Sequence, residues 1–294
     1  MNYYNEIKNQ LINNEITKKI KDYSKNKSDL NTYYNVGKLL SKAGKHYGEG
    51  IIKEYSKKLT EELGRGYSKR NLWLMLKFYD ISQKMQTLSA QLTWSHYCEL
   101  LTIENTNEIS YYMKISIDEN LSVRELRERI KNNEYKRLED KTKLKLINKE
   151  KEKIEDLIKN PIVINNKNNY KMITEKILQK MILEDIESFM KELGNSFCFI
   201  ESEYKIKIGD RYNYIDLLLY NIKFKSYVVI ELKITELKKE HIGQIQTYMN
   251  YIDKNLKTIE ESKTIGIIIC KKDNKFIMEY CSDERIFAKE YELV

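Results

Sequence analysis

Two apolar segments, YIDLLLY at 214–220 and VVIELKI at 228–234, lie on either side of the short segment NIKFKSY. Both are rich in large and β-branched apolar residues, which is typical of buried strands. Each nevertheless contains charged residues, Asp216 in the first and Glu231 and Lys233 in the second. Burying an unpaired charge in a sheet core costs several kcal/mol or more. These charges therefore lie on a solvated face or belong to a site that needs them.

The segment between the two runs predicts an antiparallel hairpin with a loop over residues 222–225. In that register Asn221 faces Ser226 and Asp216 faces Glu231, and Lys233 shares a face with both carboxylates because residues i and i+2 point to the same side of a strand. The register predicts a charged cluster on one face. It predicts a core on the other, formed by Ile215, Leu217, Leu219, Val228, Ile230 and Leu232.

Such a cluster suits a divalent cation. Two carboxylates whose Cβ atoms lie about 5 Å apart repel each other unless a cation lies between them, and hard oxygen ligands suit Mg²⁺ or Mn²⁺. The metal would polarise a phosphate and activate a bound water, and Lys233 would orient that water or neutralise developing charge, as metal-assisted phosphodiester hydrolysis requires. The alternative is a surface ladder of ion pairs on an amphipathic sheet. Spacing alone leaves both interpretations open.

The remaining sequence predicts two domains, which is ordinary for 294 residues. Residues 1–137 have apolar residues three and four apart, which indicates an all-α domain. Within it a helix is predicted to start at Ser68, and Ser122 with Glu125 forms a predicted capping box. The 52 basic and 44 acidic residues give a net charge of +8, which favours a polyanionic partner but is spread over many helix faces.

A charged linker is expected over residues 138–168, which contain the only proline, Pro161, and the Asn-rich segment INNKNN. Residues 169–294 then predict an α/β domain with a mixed sheet and helices on its faces. The expected order is a helix over 172–193, short strands, a helix over 239–253, the strand TIGIIIC, a helix and a last strand. This half contains the charged hairpin.

Cysteine spacing and hydropathy indicate a cytoplasmic protein. The four cysteines show no C-x-x-C spacing, so we expect buried free thiols rather than a zinc site or disulfides. The N-terminal segment is polar and contains acidic residues, unlike a signal peptide. No apolar run approaches the ~18 residues of a membrane span, so no membrane partner is expected.

The charged hairpin carries a resemblance to a known superfamily. Asp216 followed by Glu231-Leu232-Lys233 in an apolar strand resembles the D…(D/E)-x-K signature of the PD-(D/E)-x-K nucleases, which have the restriction-endonuclease-like fold. Downstream, Gln244 and Tyr248 in GQIQTY resemble the Q-x-x-x-Y arrangement of RecB-type members. Residues 189–253, 265–280 and 290–293 are similar, in that order, to the C-terminal domain of the bacterial YhcG-like family. The upstream segments GYSKRNLWLMLKFY, LTWSHYCELL and SVRELRERIKNNEYKRL resemble that family's helical N-terminal domain.

The resemblance implies a Mg²⁺-dependent nuclease, with Mn²⁺ as an alternative metal and DNA as the substrate. Asp216 and Glu231 would bind the metal with the Leu232 carbonyl as a third ligand, and Lys233 would position the attacking water. Gln244 and Tyr248 would contact that water or a phosphate. Core packing of Tyr248 beside a solvated Gln244 is the alternative for that pair.

The family's first nuclease helix usually carries an acidic residue near the sheet. At 100° per residue, Glu175 lies on the apolar stripe of its helix whereas Glu184 points nearly opposite, so Glu175 is the predicted catalytic acid. Glu175 would also be explained as a first-turn acid favoured by the helix dipole.

Basic residues with interleaved aromatic residues mark the N-terminal half between Gly64 and Tyr79. They predict a nucleic-acid-binding surface formed by Arg65, Lys69, Arg70 and Lys77. A core helix with a basic rim is the alternative. A homodimer is left open. The competing function is a non-catalytic nucleic-acid-binding or assembly module on a nuclease-like scaffold, against which the retained Asp216, Glu231 and Lys233 argue.

Overall fold

A computed structural model describes residues 3–20, 25–47, 50–85, 89, 91–148, 150–151, 153–194, 196–281 and 283–294. The chain divides into two compact units, Met1–Tyr135 and Lys136–Val294. In its described residues the first unit is helical, as the sequence predicts. Its helices are α1 Tyr3–Ile20, α2 Lys25–Tyr47, α3 Ile51–Leu63, α4 Lys69–Lys84, α5 Trp94–Leu100, α6 Thr106–Asp118 and α7 Val123–Lys131.

Two predicted helix starts in the first unit are confirmed. Ser68 caps α4, where its side chain accepts a hydrogen bond from the Asn71 N–H. Ser122 and Glu125 form the capping box of α7, each side chain accepting from the other's backbone N–H. These caps satisfy N–H groups that a helix terminus would otherwise leave unpaired.

The second unit contains a six-stranded mixed sheet with helices on both faces, the predicted fold class. Its strand order is β1-β6-β5-β4-β3-β2, in which β2–β3 and β3–β4 pair antiparallel and the other pairs are parallel. The strands are β1 Ile162–Ile164, β2 Phe197–Ile208, β3 Arg211–Asn221, β4 Ser226–Glu236, β5 Ile265–Lys272 and β6 Ile286–Leu293. The helices are α8 Asp140–Asn148, α9 Glu175–Glu184, α10 Ile186–Leu193, α11 Lys239–Asn255 and α12 Lys275–Glu279.

The structure differs from the expected linker over 138–168. Helix α8 lies in this segment, and β1 pairs in parallel with β6, with Ile162 opposite Tyr291. Ile162 and Ile164 are buried in the core. A three-residue strand leaves too few alternating positions for a sequence pattern, and its partner strand lies at the far end of the chain.

The single helix predicted over 172–193 is two helices, α9 and α10, which meet at Asp185. Asp185 has φ −137° and ψ 49°, outside the helical region. Its carboxylate accepts from Asn165 and forms an ion pair with Lys167, both outside the helices. Those contacts stabilise the break.

The predicted register of the β3–β4 hairpin is confirmed where the strands pair, from Asn221 opposite Ser226 to Leu217 opposite Ile230. The predicted division into one core face and one charged face is wrong. Leu217, Ile230 and their neighbours pack in a core with α9 and α10, whereas Leu218 and Val229 pack in a second core with α11. Helices cover both faces, so the sheet has no broad solvated side.

Ile215 also departs from the prediction, because it packs in the α11 core rather than with Leu217. Opposite this part of β3, Glu203 has a positive φ of 51°. A left-handed residue twists its strand locally, and the change of face falls between Ile215 and Leu217, at Asp216.

The four cysteines are free, but only Cys270 is buried and Cys198 is exposed, so the expectation of buried thiols is wrong in part. Among the described residues, no helix is both long and apolar enough to cross a bilayer.

Candidate active site

Strands β3 and β4 separate at Asp216 and Glu231, and this fork positions the charged residues. Their pairing ends at Leu217 opposite Ile230, one position before these two carboxylates. Beyond that point the Leu232 N–H donates to Asp216 Oδ2 at 2.7 Å. The Asp216 side chain thus accepts this hydrogen bond where the backbone pairing of the two strands has ended. Asp216, Glu231 and Lys233 lie together at this fork, although the predicted pairing of Asp216 opposite Glu231 is absent.

Glu231 is the most deeply buried charge of the group. Its exposed fraction is 1%, and its Oε1 has no hydrogen-bond partner. Burial, reinforced by the negative charge of Asp216, raises the pKa of Glu231 to about 8. Burial is also the main reason that the pKa of Asp216 is raised. Both carboxylates are therefore held in surroundings that favour a nearby positive charge.

Lys233 supplies part of that positive charge. Its Nζ lies 3.3 Å from Glu231 Oε2 and 3.8 Å from Glu175 Oε2. Burial opposes the ammonium form, but the carboxylates of Glu231, Glu175 and Asp216 outweigh it and raise the pKa of Lys233. A Lys233 ammonium held by these carboxylates is suited to stabilising negative charge.

Glu175 is the predicted acidic residue that the structure brings to the cluster. It begins α9, has a side chain that is 46% exposed, and contacts Lys233. Glu184, which the helical wheel places nearly opposite, lies away from the cluster and accepts from Tyr170 and Asn168. The position of Glu175 in the first turn also agrees with the dipole explanation.

Gln244 and Tyr248 share one face of α11. Gln244 Nε2 donates to Tyr248 Oη at 3.2 Å, and the Tyr248 ring packs in the α11 core. Burial raises the pKa of Tyr248, and the charges of Glu231 and Asp216 add to this effect. The Tyr248 ring is therefore packed in the core, as the alternative interpretation has it, while the Tyr248 hydroxyl interacts electrostatically with Glu231 and Asp216.

Two further residues lie at the cluster without having been predicted there. Gln179 Nε2 donates to the Asp216 backbone carbonyl at 2.9 Å. The pKa of His241 is lowered by burial and by the charge of Lys233. Helical spacing offered a signal for both: Gln179 follows Glu175 by four residues, and His241 precedes Gln244 by three.

The four predicted nucleic-acid-binding residues belong to the first unit. Arg65 is exposed in the short 3-10 turn Arg65–Tyr67 that precedes α4, and Lys69 and Arg70 are exposed in the first turn of α4. Lys77 Nζ lies 5.2 Å from the centre of the exposed Trp73 ring, while the opposite face of α4 is buried in the core. Helix α4 is therefore a core helix with a basic rim, the alternative interpretation, and its rim is accessible to a ligand.

The donor set can be tested against a divalent cation. No group of three or more His, Cys, Asp or Glu side chains in the described part of the chain is arranged to hold a metal. Mg²⁺, however, usually keeps several waters and binds through one or two carboxylates. Asp216 and Glu231 supply two carboxylates, and Glu231 Oε1 is buried without a partner. These oxygen donors fit Mg²⁺ or Mn²⁺.

The fold is that of a nuclease domain of the restriction-endonuclease-like class. A family model described as "YhcG PDDEXK nuclease domain" matches residues 155–294, and one described as "DUF1016 N-terminal domain" matches residues 7–137. The chain therefore belongs to the YhcG-like family of PD-(D/E)-x-K nuclease-domain proteins. A curated relative, "Putative nuclease YhcG" of Escherichia coli (strain K12), is 24% identical over 309 aligned residues, covering 89% of this chain and 82% of the relative.

Two solved structures are also similar. One is a repair endonuclease from Pyrococcus abyssi, with 15% identity, a TM-score of 0.31 and coverage of 42% of this chain and 48% of that chain. The other is the EndoMS-dsDNA2 complex, with 17% identity, a TM-score of 0.29 and coverage of 43% of this chain and 48% of that chain. This chain thus spans about half the length of each.

Proposed function

We propose that this protein is a divalent-metal-dependent nuclease that hydrolyses phosphodiester bonds in DNA. The observation that carries the proposal is Glu231 Oε1, a carboxylate oxygen buried without a hydrogen-bond partner beside a second carboxylate, Asp216. Leaving such an oxygen unsatisfied is costly unless a cation is to occupy the site. A scaffold that only binds nucleic acid has no need to bear that cost.

Asp216 and Glu231 would hold Mg²⁺ or Mn²⁺ with the Leu232 carbonyl as a third ligand. A bound divalent ion would supply Lewis acidity to the phosphate and lower the pKa of a coordinated water. Leu232 also restrains Asp216, because its N–H donates to Asp216 Oδ2. The ligands are thus fixed by the strand fork before any substrate binds.

Lys233 would stabilise the negative charge that grows on the phosphate oxygens as water attacks phosphorus and the bond to the leaving oxygen breaks. Its raised pKa keeps it cationic for this role. Glu175 would orient the ammonium through the 3.8 Å contact. Gln244 and the Tyr248 hydroxyl would complete the site with hydrogen bonds to a phosphate oxygen or to water. The basic rim of α4, with Arg65, Lys69, Arg70 and Lys77, would hold the DNA backbone.

The test is cleavage of plasmid, linear duplex, single-stranded and branched DNA, and of RNA, with Mg²⁺, with Mn²⁺ and with EDTA. Asp216→Ala and Lys233→Ala are expected to lower the rate at least about 100-fold while nucleic-acid binding persists. Asp118→Ala, at an exposed position of α6, is the matched control and should cleave like the wild type.

Three outcomes would count against the proposal. Binding without any cleavage by the wild type would favour the non-catalytic module. Cleavage that ignores both substitutions would indicate a contaminating nuclease. Full activity in EDTA would exclude the metal. A homodimer and a cytoplasmic location stay predictions, to be checked by light scattering of the purified protein and by imaging of a tagged chain.

A further inference from the structure

The paired strands β2 and β3 continue past the fork as a two-stranded arm, residues 204–215. Pairing of β2 with β3 runs to Ile208 opposite Arg211, whereas pairing of β3 with β4 ends at Leu217. A turn at Gly209 and Asp210 closes the arm, with Gly209 at φ 59°. The arm therefore extends from the carboxylate cluster without a neighbouring strand on its β4 side.

One face of this arm presents two tyrosines and two lysines. Lys205 pairs with Tyr214 and Lys207 pairs with Tyr212, and residues two apart share a face, so the four side chains form one surface, the Lys–Tyr face. Tyr212 is 56% exposed, Tyr214 is 51% exposed and both lysines are exposed. The other face of the arm is anchored, because Ile206 and Ile215 are buried in the α11 core.

The two rings are therefore not needed by the core, and their surroundings are basic. Lys205 Nζ lies 3.9 Å from the centre of the Tyr212 ring and Lys207 Nζ lies 5.9 Å from it. Arg211 adds an exposed positive charge at the turn. Two acidic residues partly offset this charge, Asp210 beside Arg211 and Glu203 near the cluster. Basic side chains alternating with accessible aromatic rings are the elements of a single-strand binding surface.

The position of the Lys–Tyr face relates it to the proposed active site. Tyr214 and Asp216 are two residues apart on β3, roughly 7 Å along the strand, and Tyr212 lies roughly 13 Å from Asp216. At about 3.4 Å per nucleotide of a stacked strand, the face spans the few nucleotides next to the phosphate at the cluster.

We propose that the Lys–Tyr face binds an unpaired segment of the nucleic acid substrate beside the phosphate that is cut. Bases stack on Tyr212 and Tyr214, and Lys205 and Lys207 leave the Tyr212 ring to contact phosphates. Stacking is a stronger interaction than an exposed cation–π contact, which favours this exchange. An unpaired strand is the partner because its base faces are accessible, whereas those of a duplex are covered by their neighbours. The location beside the cut rests on the proposed function, but the binding does not.

The experiment measures fluorescence anisotropy of labelled oligothymidylate and of a labelled duplex, with the full-length protein in EDTA so that neither is cut. Tyr212→Ala and Tyr214→Ala are each expected to raise the Kd for the single strand about 5- to 30-fold and to change duplex binding less than about twofold. Tyr212→Phe and Tyr214→Phe keep the ring and should bind like the wild type. Tyr280→Ala, at an 84% exposed tyrosine outside the arm, is the control and should have no effect.

The lysines give a second readout. Log affinity falls with log salt, and each phosphate contact contributes about 0.7 to the steepness of that fall for a single strand. Lys205→Ala and Lys207→Ala should therefore each make the fall less steep by about 0.7. Lys254→Ala, at an exposed position of α11, should leave it unchanged. Melting temperatures close to that of the wild type would show that these exposed substitutions preserve the fold.

Unchanged single-strand affinity in both Tyr→Ala variants would overturn the proposal, and so would equal losses on single strand and duplex. Its failure is distinct from failure of the nuclease proposal. If the wild type cleaves with Mg²⁺ and Asp216→Ala does not, while Tyr212→Ala binds normally, the nuclease stands and the Lys–Tyr face fails. If the wild type never cleaves but the tyrosine variants lose single-strand binding, the face stands and the nuclease fails.

Discussion

At the scale of single residues, Glu231 combines two opposing demands. A buried carboxylate with an unpartnered oxygen beside Asp216 is suited to binding a cation but destabilises the chain when no cation is bound. Because burial and Asp216 raise its pKa above the unfolded value, the protein loses stability as pH rises through about 8. The site thus resembles other functional clusters in which stability is exchanged for ligand affinity.

Glu231→Gln is therefore expected to stabilise the protein in EDTA. The amide removes the buried negative charge, so the melting temperature at pH 9 should exceed that of the wild type, corresponding to roughly 1–3 kcal/mol. Thermal unfolding with and without Mn²⁺ checks this: the metal should raise the melting temperature of the wild type and not that of the variant. Glu279→Gln, on exposed α12, is the control. A lower melting temperature for Glu231→Gln in EDTA would contradict the prediction.

Gln179 is a positioning residue, since its amide contacts the backbone of Asp216 rather than any reacting group. Gln179→Ala leaves the Asp216 carbonyl without this donor, which costs about 1–3 kcal/mol of stability and loosens the strand at the cluster. We expect kcat to fall about tenfold with little change in KM. Steady-state cleavage kinetics measure this, with Gln246→Ala on α11 as the control. A change confined to KM would indicate contact with the substrate instead.

At the scale of elements, local patterns predicted what local interactions decide. The alternation in 214–220 and 228–234 gave the register from Asn221–Ser226 to Leu217–Ile230, and Ser122 gave the start of α7. Two outcomes depended on distant partners. The break at Asp185 is stabilised by side chains upstream of α9, and β1 exists because β6 pairs with it.

The candidate site shows the same division. The proximity of Asp216, Glu231 and Lys233 was predictable from the hairpin register, but the fork, at which β3 and β4 stop pairing, was not. The second apolar core, which packs against α11, could not be predicted, because the apolar face of α11 is compatible with packing on either side of a sheet. The i+4 spacing placed Gln179 on the same helix face as Glu175, but its contact was missed because its partner is a backbone carbonyl, which a sequence pattern does not reveal.

Glu192 joins α10 to the start of the second unit, and this contact depends on pH. Its carboxylate accepts from Arg137 and from the Val163 N–H at 3.0 Å, and it lies 3.8 Å from Lys159. Burial alone would raise the pKa of Glu192, but these partners outweigh it and lower the pKa. A lowered pKa in the folded state means that the contact stabilises the fold above the unfolded value and is lost as pH falls through the folded one.

Glu192→Gln should therefore cost roughly 3 kcal/mol at pH 7, because it removes the buried negative charge that Arg137 and Lys159 contact. The difference from the wild type should be smaller at an acid pH below the lowered pKa of the folded carboxylate, where the wild-type side chain is neutral too. Urea unfolding at the two pH values measures it. Glu187→Gln, which removes an exposed ion pair with Lys191, should change stability by less than about 0.5 kcal/mol. An equal cost for Glu192→Gln at both pH values would mean that its charge is irrelevant.

At the scale of the whole molecule, the net charge of +8 and the two units suggest separate tasks for binding and chemistry. Arg65, Lys69 and Arg70 are exposed in the first unit, whereas the carboxylate cluster lies within the second. Phosphate contacts made by exposed basic residues contribute to affinity uniformly across sequences and are weakened by salt. In the proposed function, cleavage depends instead on the groups at the fork.

This division predicts that Arg65→Ala, Lys69→Ala and Arg70→Ala combined in the full chain will raise KM for duplex DNA and leave kcat at the wild-type value. If each residue contacts one phosphate, the decrease of log affinity with log salt should become less steep by about 0.9 per residue removed. Asp216→Asn should do the opposite, abolishing kcat while the salt slope is retained. Cleavage kinetics and binding measured over a range of salt concentrations separate the two effects. A triple variant with unchanged KM and slope would show that the α4 rim does not hold the substrate, and a lower kcat would show that the first unit takes part in catalysis.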